Sequence, residues 1–430
     1  MKKILLSLLV ALPVLLLAQN VGIGTTSPLA RLHVTDSNVI FSAPYTDGSL
    51  PFSVPINGAG TRVMWLPAIG AFRAGTVSGN YWNRDSIGIY SFASGIDTRA
   101  LGLASTAMGQ GSVATATWST AIGLNDTAAA FETVAMGTNN KASGFAATAF
   151  GAGTVASGLY ASTMGFHTKA SGDYSVAMGD ITIASGSHSL AMGYIGTASG
   201  DYATAMGRNT IASGDQSTAM GYDNTASGSS STAMGIFTTA SGSFSTAMGS
   251  NTWASGNSSA AMGTATIAKS LASVAIGSLN DTLTGTSANT WVNTDPLVYI
   301  GNGNTSGSTR SNAVVVYKNA DIDINGYTRL GKLSEAAPVI KLKKLTGTSP
   351  AVNGSIAIVH GLTAAKILSV SISMEYGLGA AETVPPFYTI SPGYEYQYQV
   401  RTSDILISNK SGNSANIASM PVKILITYEE

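Results

Sequence analysis

The chain of 430 residues contains no cysteine, and only 10% of its residues are charged. Without cysteine it has no disulfide framework, no thiol chemistry and no lipoprotein anchor cysteine. Its 22 basic and 22 acidic residues balance to zero net charge, which argues against a nucleic-acid partner, because such partners need a basic surface. The low charge does not indicate disorder, since 44% of the residues are hydrophobic.

Glycine recurs at every seventh residue from Gly88 to Gly277. This register has 28 slots, of which 25 hold glycine; the exceptions are Ala116, Ala130 and Ser270. A short fixed period indicates one small unit stacked many times, so the sequence predicts a solenoid that acts through its shape and surface.

The true period is 14, because the residue before each glycine alternates in kind. In one set it is serine nine times running, from Ser143 to Ser255. In the other set it is large and apolar at thirteen positions, which we call the Met row: Met108, Ile122, Met136, Phe150, Met164, Met178, Met192, Met206, Met220, Met234, Met248, Met262 and Ile276.

A glycine every seven residues is incompatible with a stable helix, since each costs about 1 kcal/mol. A β-strand suits the pattern, because side chains alternate across a strand. In Ser189–Gly193, the small residues Ser189, Ala191 and Gly193 are expected to point into a narrow coil, with Leu190 and Met192 outside. Two strands and two corners, with glycine allowing each corner, make one coil.

A straight stripe of large apolar residues is typical of an interface. The Met row therefore predicts self-association along one side of the solenoid. The alternative is that these residues form the solenoid's own core. At the start of the register Ile87 and Leu101 are apolar but Ser94 is not, so we interpret residues 87–107 as an atypical first turn that caps the stack.

Strings such as Ser217-Thr-Ala-Met-Gly-Tyr-Asp-Asn and Ser273-Val-Ala-Ile-Gly-Ser-Leu-Asn resemble the head of YadA-type trimeric adhesins. The resemblance covers about 45% of the chain, residues 87–280. It implies a left-handed parallel β-roll, three chains about an axis with the Met row as the trimer core, and adhesion at a surface. The expected fold class is all-β.

Before the repeats, a basic start and an apolar run from Ile4 to Leu17 predict a signal peptide over residues 1–18 and export of the chain. Residues 19–86 are expected to form a β-rich adaptor. After the repeats, residues 281–344 read as a connector, and they show none of the sustained heptads of the coiled-coil stalk that YadA-type proteins carry.

Residues 345–430 contain alternating segments at 367–374, 394–400, 404–409 and 422–428, separated by turn residues. They predict a small β-sandwich or jelly roll. The alternative is a membrane-embedded anchor, which needs longer strands with a lipid-facing apolar band.

Exposed aromatic residues are the candidate ligand contacts, because their faces suit sugar rings and protein hot spots. In the C-terminal domain these are Phe387, Tyr388, Tyr394, Tyr396 and Tyr398. Since the last three share one face of a strand, the alternative is that they are core residues. On the solenoid, aromatics near the corners are open to adhesion or to packing against the next coil: Tyr174, Tyr194, Tyr202, Tyr222, Phe237 and Phe244.

We predict no catalytic site, no metal and no cofactor. Nothing in the spacing of Glu375, Glu382, Glu395 and Asp404 fixes two carboxyls at a catalytic separation. His167 and His188 lie an odd number of half-coils apart, on opposite sides of the solenoid, and His360 is expected to be structural.

The sequence thus favours an extracellular or cell-surface trimeric adhesin or fibre protein that binds cell, glycan or matrix surfaces. The solenoid would act as a spacer and the C-terminal domain as the tip. Two alternatives remain: a solenoid that binds a flat surface such as ice, and a purely structural fibre subunit.

Overall fold

A computed structural model of the chain describes residues 20–35, 38–48, 52–304, 306, 309–324, 328–329, 339–376 and 382–429. Within these ranges the fold is all-β, as expected, with only short 3-10 helices at Pro67–Ile69, Arg84–Ser86, Ala364–Lys366 and Ala415–Ile417. The described part of the chain holds no helix with the length and apolarity that a membrane crossing requires. The predicted signal peptide, residues 1–18, lies outside the described residues.

The chain divides into two compact units, Met1–Phe244 and Ser245–Glu430. The first unit begins with a parallel pair, Val21–Ile23 and Leu32–Val34. An antiparallel hairpin of Gly60–Leu66 and Ala71–Val77 follows. The second hairpin strand pairs in parallel with Phe92–Ile96, which places it at the start of the solenoid.

Each coil of the first unit contributes a five-residue strand and a two-residue strand, which we call the long and the short strand. The long strands are Phe92–Ile96, Thr106–Gln110, Thr120–Leu124, Val134–Thr138, Thr148–Ala152, Ser162–Phe166, Val176–Asp180, Leu190–Tyr194, Thr204–Arg208, Thr218–Tyr222 and Thr232–Ile236. The short strands are Arg99–Ala100, Val113–Ala114, Thr127–Ala128, Lys141–Ala142, Val155–Ala156, Lys169–Ala170, Ile183–Ala184, Thr197–Ala198, Ile211–Ala212, Thr225–Ala226 and Thr239–Ala240. Equivalent strands pair in parallel and in register, so the predicted parallel solenoid is confirmed.

The interior of most coils holds small side chains. Ala191 and Ala198 are fully buried in their long and short strands, and Ser189 and Thr182 are buried beside them. Leu190 lies outside, as alternation predicts. Some of the buried hydroxyls tie a corner, as Ser175 Oγ does by donating to Gly172 O. Others, such as that of Ser189, have no hydrogen-bond partner within the described residues.

The prediction of an atypical first turn at 87–107 was wrong. Ser94 pairs with Met108 and Ala74 pairs with Ser94, so the coil keeps its phase and extends back to the hairpin. The stack is closed instead by Arg73, which occupies the interior alanine row, opposite Ala93. Arg73 is fully buried, and its guanidinium donates to the carbonyls of Phe72, Ser91 and Ala100; burial lowers its pKa to about 10.

The glycines serve two different purposes. A Cβ on Gly172, which follows a serine, would lie 2.0 Å from the oxygen of Gly186 in the next coil. Gly179, which follows Met178, faces the same obstacle at 2.1 Å and also has a φ of +114°. This φ breaks the alternation, which is why Gly193 (φ +118°) is exposed rather than inside as predicted. The three exceptions to glycine, at positions 116, 130 and 270, all lie in the alternate set of register positions that contains Gly172. In that set only the steric constraint applies.

Contrary to the prediction, most corners are made by non-glycine residues two positions after the register glycine; Gly111 and Gly153 are glycines at this position. Asn209 (φ 54°), Asp223 (φ 52°) and Ile181 (φ 53°) are examples of the non-glycine corners. Asparagine and aspartate tolerate this left-handed conformation, whereas a β-branched side chain is strained in it.

We therefore expect Ile181→Asn to raise the free energy of unfolding by about 0.5–1 kcal/mol, since it relieves strain at a position that is 43% exposed. Ile183→Asn is the matched control. Ile183 has similar exposure but lies in an extended short strand, where β-branching is favourable, so this variant should lose stability. Thermal unfolding of both variants tests the idea, and equal losses would contradict it.

A buried asparagine braces some coils from inside. Asn140 Nδ2 donates to Met136 O and Gly151 O, and Asn140 Oδ1 accepts from the Thr154 amide. Asp126 is the equivalent residue one coil earlier and is fully buried. Its Oδ1 accepts from the Asn140 amide, but Oδ2, which stands where Asn140 has its amide nitrogen, has no partner within the described residues. Burial raises the pKa of the Asp126 carboxyl, against the opposing effect of hydrogen bonds from Asn140.

Asp126→Asn is expected to raise the free energy of unfolding at pH 7 by about 1–3 kcal/mol, because it removes a buried unpaired acceptor. Because burial raises the pKa of Asp126 above the value near 3.8 of the unfolded chain, the folded chain binds this proton more tightly than the unfolded chain does. Wild-type stability should therefore fall as pH rises above this value, and the gain from the variant should shrink toward pH 4. The reverse change, Asn140→Asp, should lose stability and acquire the same pH dependence. Parallel pH profiles for all three proteins in urea titrations would refute the interpretation.

The second unit contains long strands at Thr246–Ser250, Ala260–Thr264 and Val274–Ser278, and short strands at Trp253–Ala254 and Ile267–Ala268. Pro296–Asn302 continues the long strands in parallel. Asn312–Tyr317 and Ile322–Ile324 then pair antiparallel and end this sheet.

The C-terminal residues form two antiparallel sheets around one core, so the predicted β-sandwich is confirmed. The five-stranded sheet runs in the order Thr328–Arg329, Val339–Thr348, Pro421–Glu429, Ile367–Tyr376 and Glu382–Val384. The three-stranded sheet consists of Ser355–Val359, Asp404–Asn409 and Tyr396–Val400. Ile372, Ile424 and Ile426 from the first sheet meet Ile405 and Ile407 from the second.

His360 is fully buried, where its Nε2 donates to Arg401 O and its Nδ1 accepts from the Leu362 amide. Both ring nitrogens are thus used to hold loops of the sandwich, which agrees with the structural role predicted for this residue.

Candidate functional site

In each unit, the Met row forms a line of side chains on the outside of the long strands. In the first unit its members pair directly with one another from Met108 to Met234. In the second unit Met248 pairs with Met262, and Met262 with Ile276. Because the pairing is in register, neighbouring side chains are separated by one inter-strand spacing, about 4.8 Å.

Every member of the Met row is half-buried or exposed in the single chain. Phe150 and Met164 are 48% and 50% exposed, while Ala149 and Thr163, which precede them in sequence, are buried. The interior is filled by alanine, serine and threonine, so the Met row is not the core of the coil. Its side chains are available to a partner.

The line of side chains is longer than the sequence period indicated. In the second unit, Ile276 pairs with Ile300, Ile300 with Val314, and Val314 with Ile324. Sequence reasoning missed these residues because Ile300 lies 24 positions after Ile276 rather than 14. At the other end, Ser94 pairs with Met108, so the apolar line weakens there.

Aromatic rings form a ladder along one corner of the coils. Each ring lies one or two residues after a register position of the set that contains Gly144, Gly158 and Gly172. The members of the ladder in chain order are Trp118, Phe131, Phe145, Tyr160, Tyr174, His188 and Tyr202, with successive ring centroids 4.8–5.5 Å apart. From Tyr160 to Tyr202 the rings are nearly parallel, at 13–14°. In this part of the ladder, ring faces contact one another, which favours packing from coil to coil over ligand stacking.

At the opposite corner, Arg208 lies between Tyr194 and Tyr222, with its guanidinium 5.7 and 5.3 Å from the two ring centroids. Tyr222 also contacts Phe237 edge to face. These corner aromatics again pack from coil to coil. The threonines that motivated a flat ice-binding face, such as Thr182 and Thr210, are buried inside the coil.

The five aromatic candidates of the C-terminal domain separate into different environments. Tyr396 is fully buried, and its hydroxyl donates to Ile372 O and Val384 O, so the assignment of Tyr396 to a ligand surface was wrong. The alternating strand places it on the face that the second sheet covers. Tyr398 packs against the same core and donates to Val370 O. Phe387 is 60% exposed.

Tyr388 and Tyr394 line a cavity of about 180 Å³ together with Tyr376, Thr383, Val384, Pro385 and Ser391. The Tyr376 and Tyr394 rings meet edge to face at 4.9 Å, and the Tyr388 and Tyr394 rings are perpendicular at 6.5 Å. All three rings also pack on the core, which holds the cavity wall in place.

Three carboxylates of this domain are engaged in ion pairs. Glu395 Oε1 accepts from Lys410 Nζ at 2.6 Å, and this hydrogen bond lowers the pKa of Glu395. Glu375 pairs with Lys423, and Asp404 with Arg401. No group of three or more potential metal ligands occurs within the described ranges.

The comparison with known families agrees with this geometry. The family model for the YadA head domain repeat (2 copies) matches residues 86–112, 100–125, 128–154, 142–167, 170–194, 198–224 and 226–252. A search of curated proteins gave no match. In-register coils, small interior residues and an outward apolar row thus occur in a segment that the family model matches repeatedly, so the repeat region of this chain is similar to the YadA head domain repeat.

Proposed function

We propose that the chain is exported and assembles as a trimeric adhesin or fibre protein. The head repeats would serve as a spacer, and the C-terminal sandwich as a tip that binds cell, glycan or matrix surfaces. The observation that carries this proposal is the Met row, an exposed apolar line on a family of repeats known from adhesins.

The physical argument is the area of the row. A buried methionine, isoleucine or phenylalanine side chain stabilises by about 1.5–3 kcal/mol relative to its exposed state. Thirteen half-exposed residues in each chain therefore offer a large gain on association, even after the entropy of association is subtracted. A three-fold axis lets one row from each chain meet in a closed assembly without leaving a free interface.

Light scattering of the chain from Gln19 onward provides the test of assembly, with a mass of three chains as the expected result. Adhesion is tested by coupling the same protein to beads and measuring capture on glycan arrays, matrix proteins and cells. A trimer that captures nothing in any of these assays would support the purely structural fibre subunit instead. A monomer with thermal hysteresis would support the ice-binding alternative.

A further inference from the structure

We infer that the cavity between Tyr376, Tyr388 and Tyr394, which we call the tyrosine pocket, binds a single neutral pyranose ring. This inference rests on the proposed adhesive function and gives the tip a ligand class.

The hydroxyls of the neighbouring tyrosines show why the pocket differs from ordinary core. The hydroxyls of Tyr396 and Tyr398 donate hydrogen bonds to backbone carbonyls of the sandwich. Among the described residues, the hydroxyls of Tyr388 and Tyr394 make no hydrogen bond to the protein, although both rings are half-buried. Partly buried tyrosines normally find a polar partner, so a ligand or water takes that place.

The size and charge of the pocket select the ligand. At about 180 Å³ it is smaller than the ~300–1,000 Å³ of sites for drug-sized molecules. No described lining residue carries a charge, and the nearby acids Glu375 and Glu395 are already paired with lysines. The pocket therefore has no counter-charge for a cation or an anion.

The chemistry of the lining matches a sugar. Perpendicular tyrosine rings present both a face and an edge, which suit the apolar C–H face of a pyranose. The hydroxyls of Thr383, Ser391 and the tyrosines act as both donors and acceptors, as sugar hydroxyls require. Because the rings pack on the core, little ordering accompanies binding.

The test uses the full chain and a panel of methyl glycosides of glucose, galactose, mannose and N-acetylglucosamine, followed by saturation-transfer NMR and calorimetry. At least one should bind with a Kd of about 1–10 mM, as expected for a ligand of this size. Tyr388→Ala should weaken binding about tenfold or more. Tyr388→Phe keeps the ring and the packing, and should weaken binding by a smaller factor through the lost hydroxyl.

Phe387→Ala is the matched control, because it removes an adjacent, more exposed ring that lies outside the pocket lining. It should leave binding unchanged. The inference is overturned if no glycoside binds, if choline binds better than every glycoside, or if the Tyr388 variants bind like the wild type. Adhesion that survives in Tyr388→Phe and Tyr388→Ala would overturn the pocket assignment while leaving the proposed adhesive function intact. Glycoside binding without any surface capture would overturn the proposed adhesive function while leaving the pocket assignment intact.

Discussion

Gly179→Ala should lower the free energy of unfolding by about 2–6 kcal/mol. Two independent costs add: a left-handed φ of +114° that L side chains rarely adopt, about 1–3 kcal/mol, and a Cβ placed 2.1 Å from Gly193 O, about 1–3 kcal/mol of overpacking. Gly172→Ala meets only the second cost, because its φ is not left-handed. It should lose about 1–3 kcal/mol.

Gly196→Ala supplies the control within the same stack. Gly196 occupies a buried interior position where neighbouring coils have threonine, and a Cβ there would have its closest contact at 3.5 Å. This variant should be neutral or more stable by about 0.4–1 kcal/mol, since alanine restricts the unfolded chain. Thermal unfolding, combined with hydrogen exchange to locate the affected coils, ranks the three variants. A Gly179 variant no less stable than the Gly172 variant would disprove the two-cost account.

The double variant Met192→Asp, Met206→Asp should convert the assembled protein to monomers. If the Met row is the interface, each chain would bring two carboxylates into an apolar seam. They would meet the equivalent residues of its partners at a cost of several kcal/mol per charge. Light scattering should then report the mass of one chain, with circular dichroism unchanged because both positions lie outside the coil.

Ser185→Asp, Ser199→Asp is the control for that experiment. These residues lie half a coil away, are exposed, and follow the same local pattern on the opposite side of the coil. The control should keep the assembled mass. Dissociation by both double variants would point to charge in general rather than to the Met row, and dissociation by neither would place the interface elsewhere.

The solenoid was predictable in detail because its period constrains every coil in the same way. Glycine spacing, the interior position of Ala191 and the outward position of Met192 all follow from alternation and size. The left-handed corners at Ile181 and Asn209 were not predictable, because the glycine two residues earlier can by itself adopt the conformation that a turn requires. Backbone conformation at one residue depends on how the next coil stacks, which a single repeat does not reveal.

Less could be predicted in the C-terminal sandwich, where no period exists. The boundary predicted between residues 344 and 345 divides the strand Val339–Thr348, which lies in the five-stranded sheet over its whole length. In the structure Lys343 lies opposite Ile426, and its Nζ reaches out to His360 O at 2.6 Å. For Tyr394, Tyr396 and Tyr398, alternation shows that they share a face but not which face the second sheet covers. Only tertiary packing separates the buried Tyr396 from the pocket-lining Tyr394.

The antiparallel strands described at the limits of the repeats bear on how the chain avoids fibrillar growth. Parallel, in-register strands are the arrangement that amyloid-like assemblies extend indefinitely. In the first unit, Gly60–Leu66 covers the outer edge of Ala71–Val77 in the antiparallel sense, and Arg73 fills the lumen. In the second unit, Asn312–Tyr317 and Ile322–Ile324 reverse direction in the same way. On these covered edges of the long-strand sheet, a coil from another molecule would find no parallel template of matching register, which opposes end-to-end growth of the repeat.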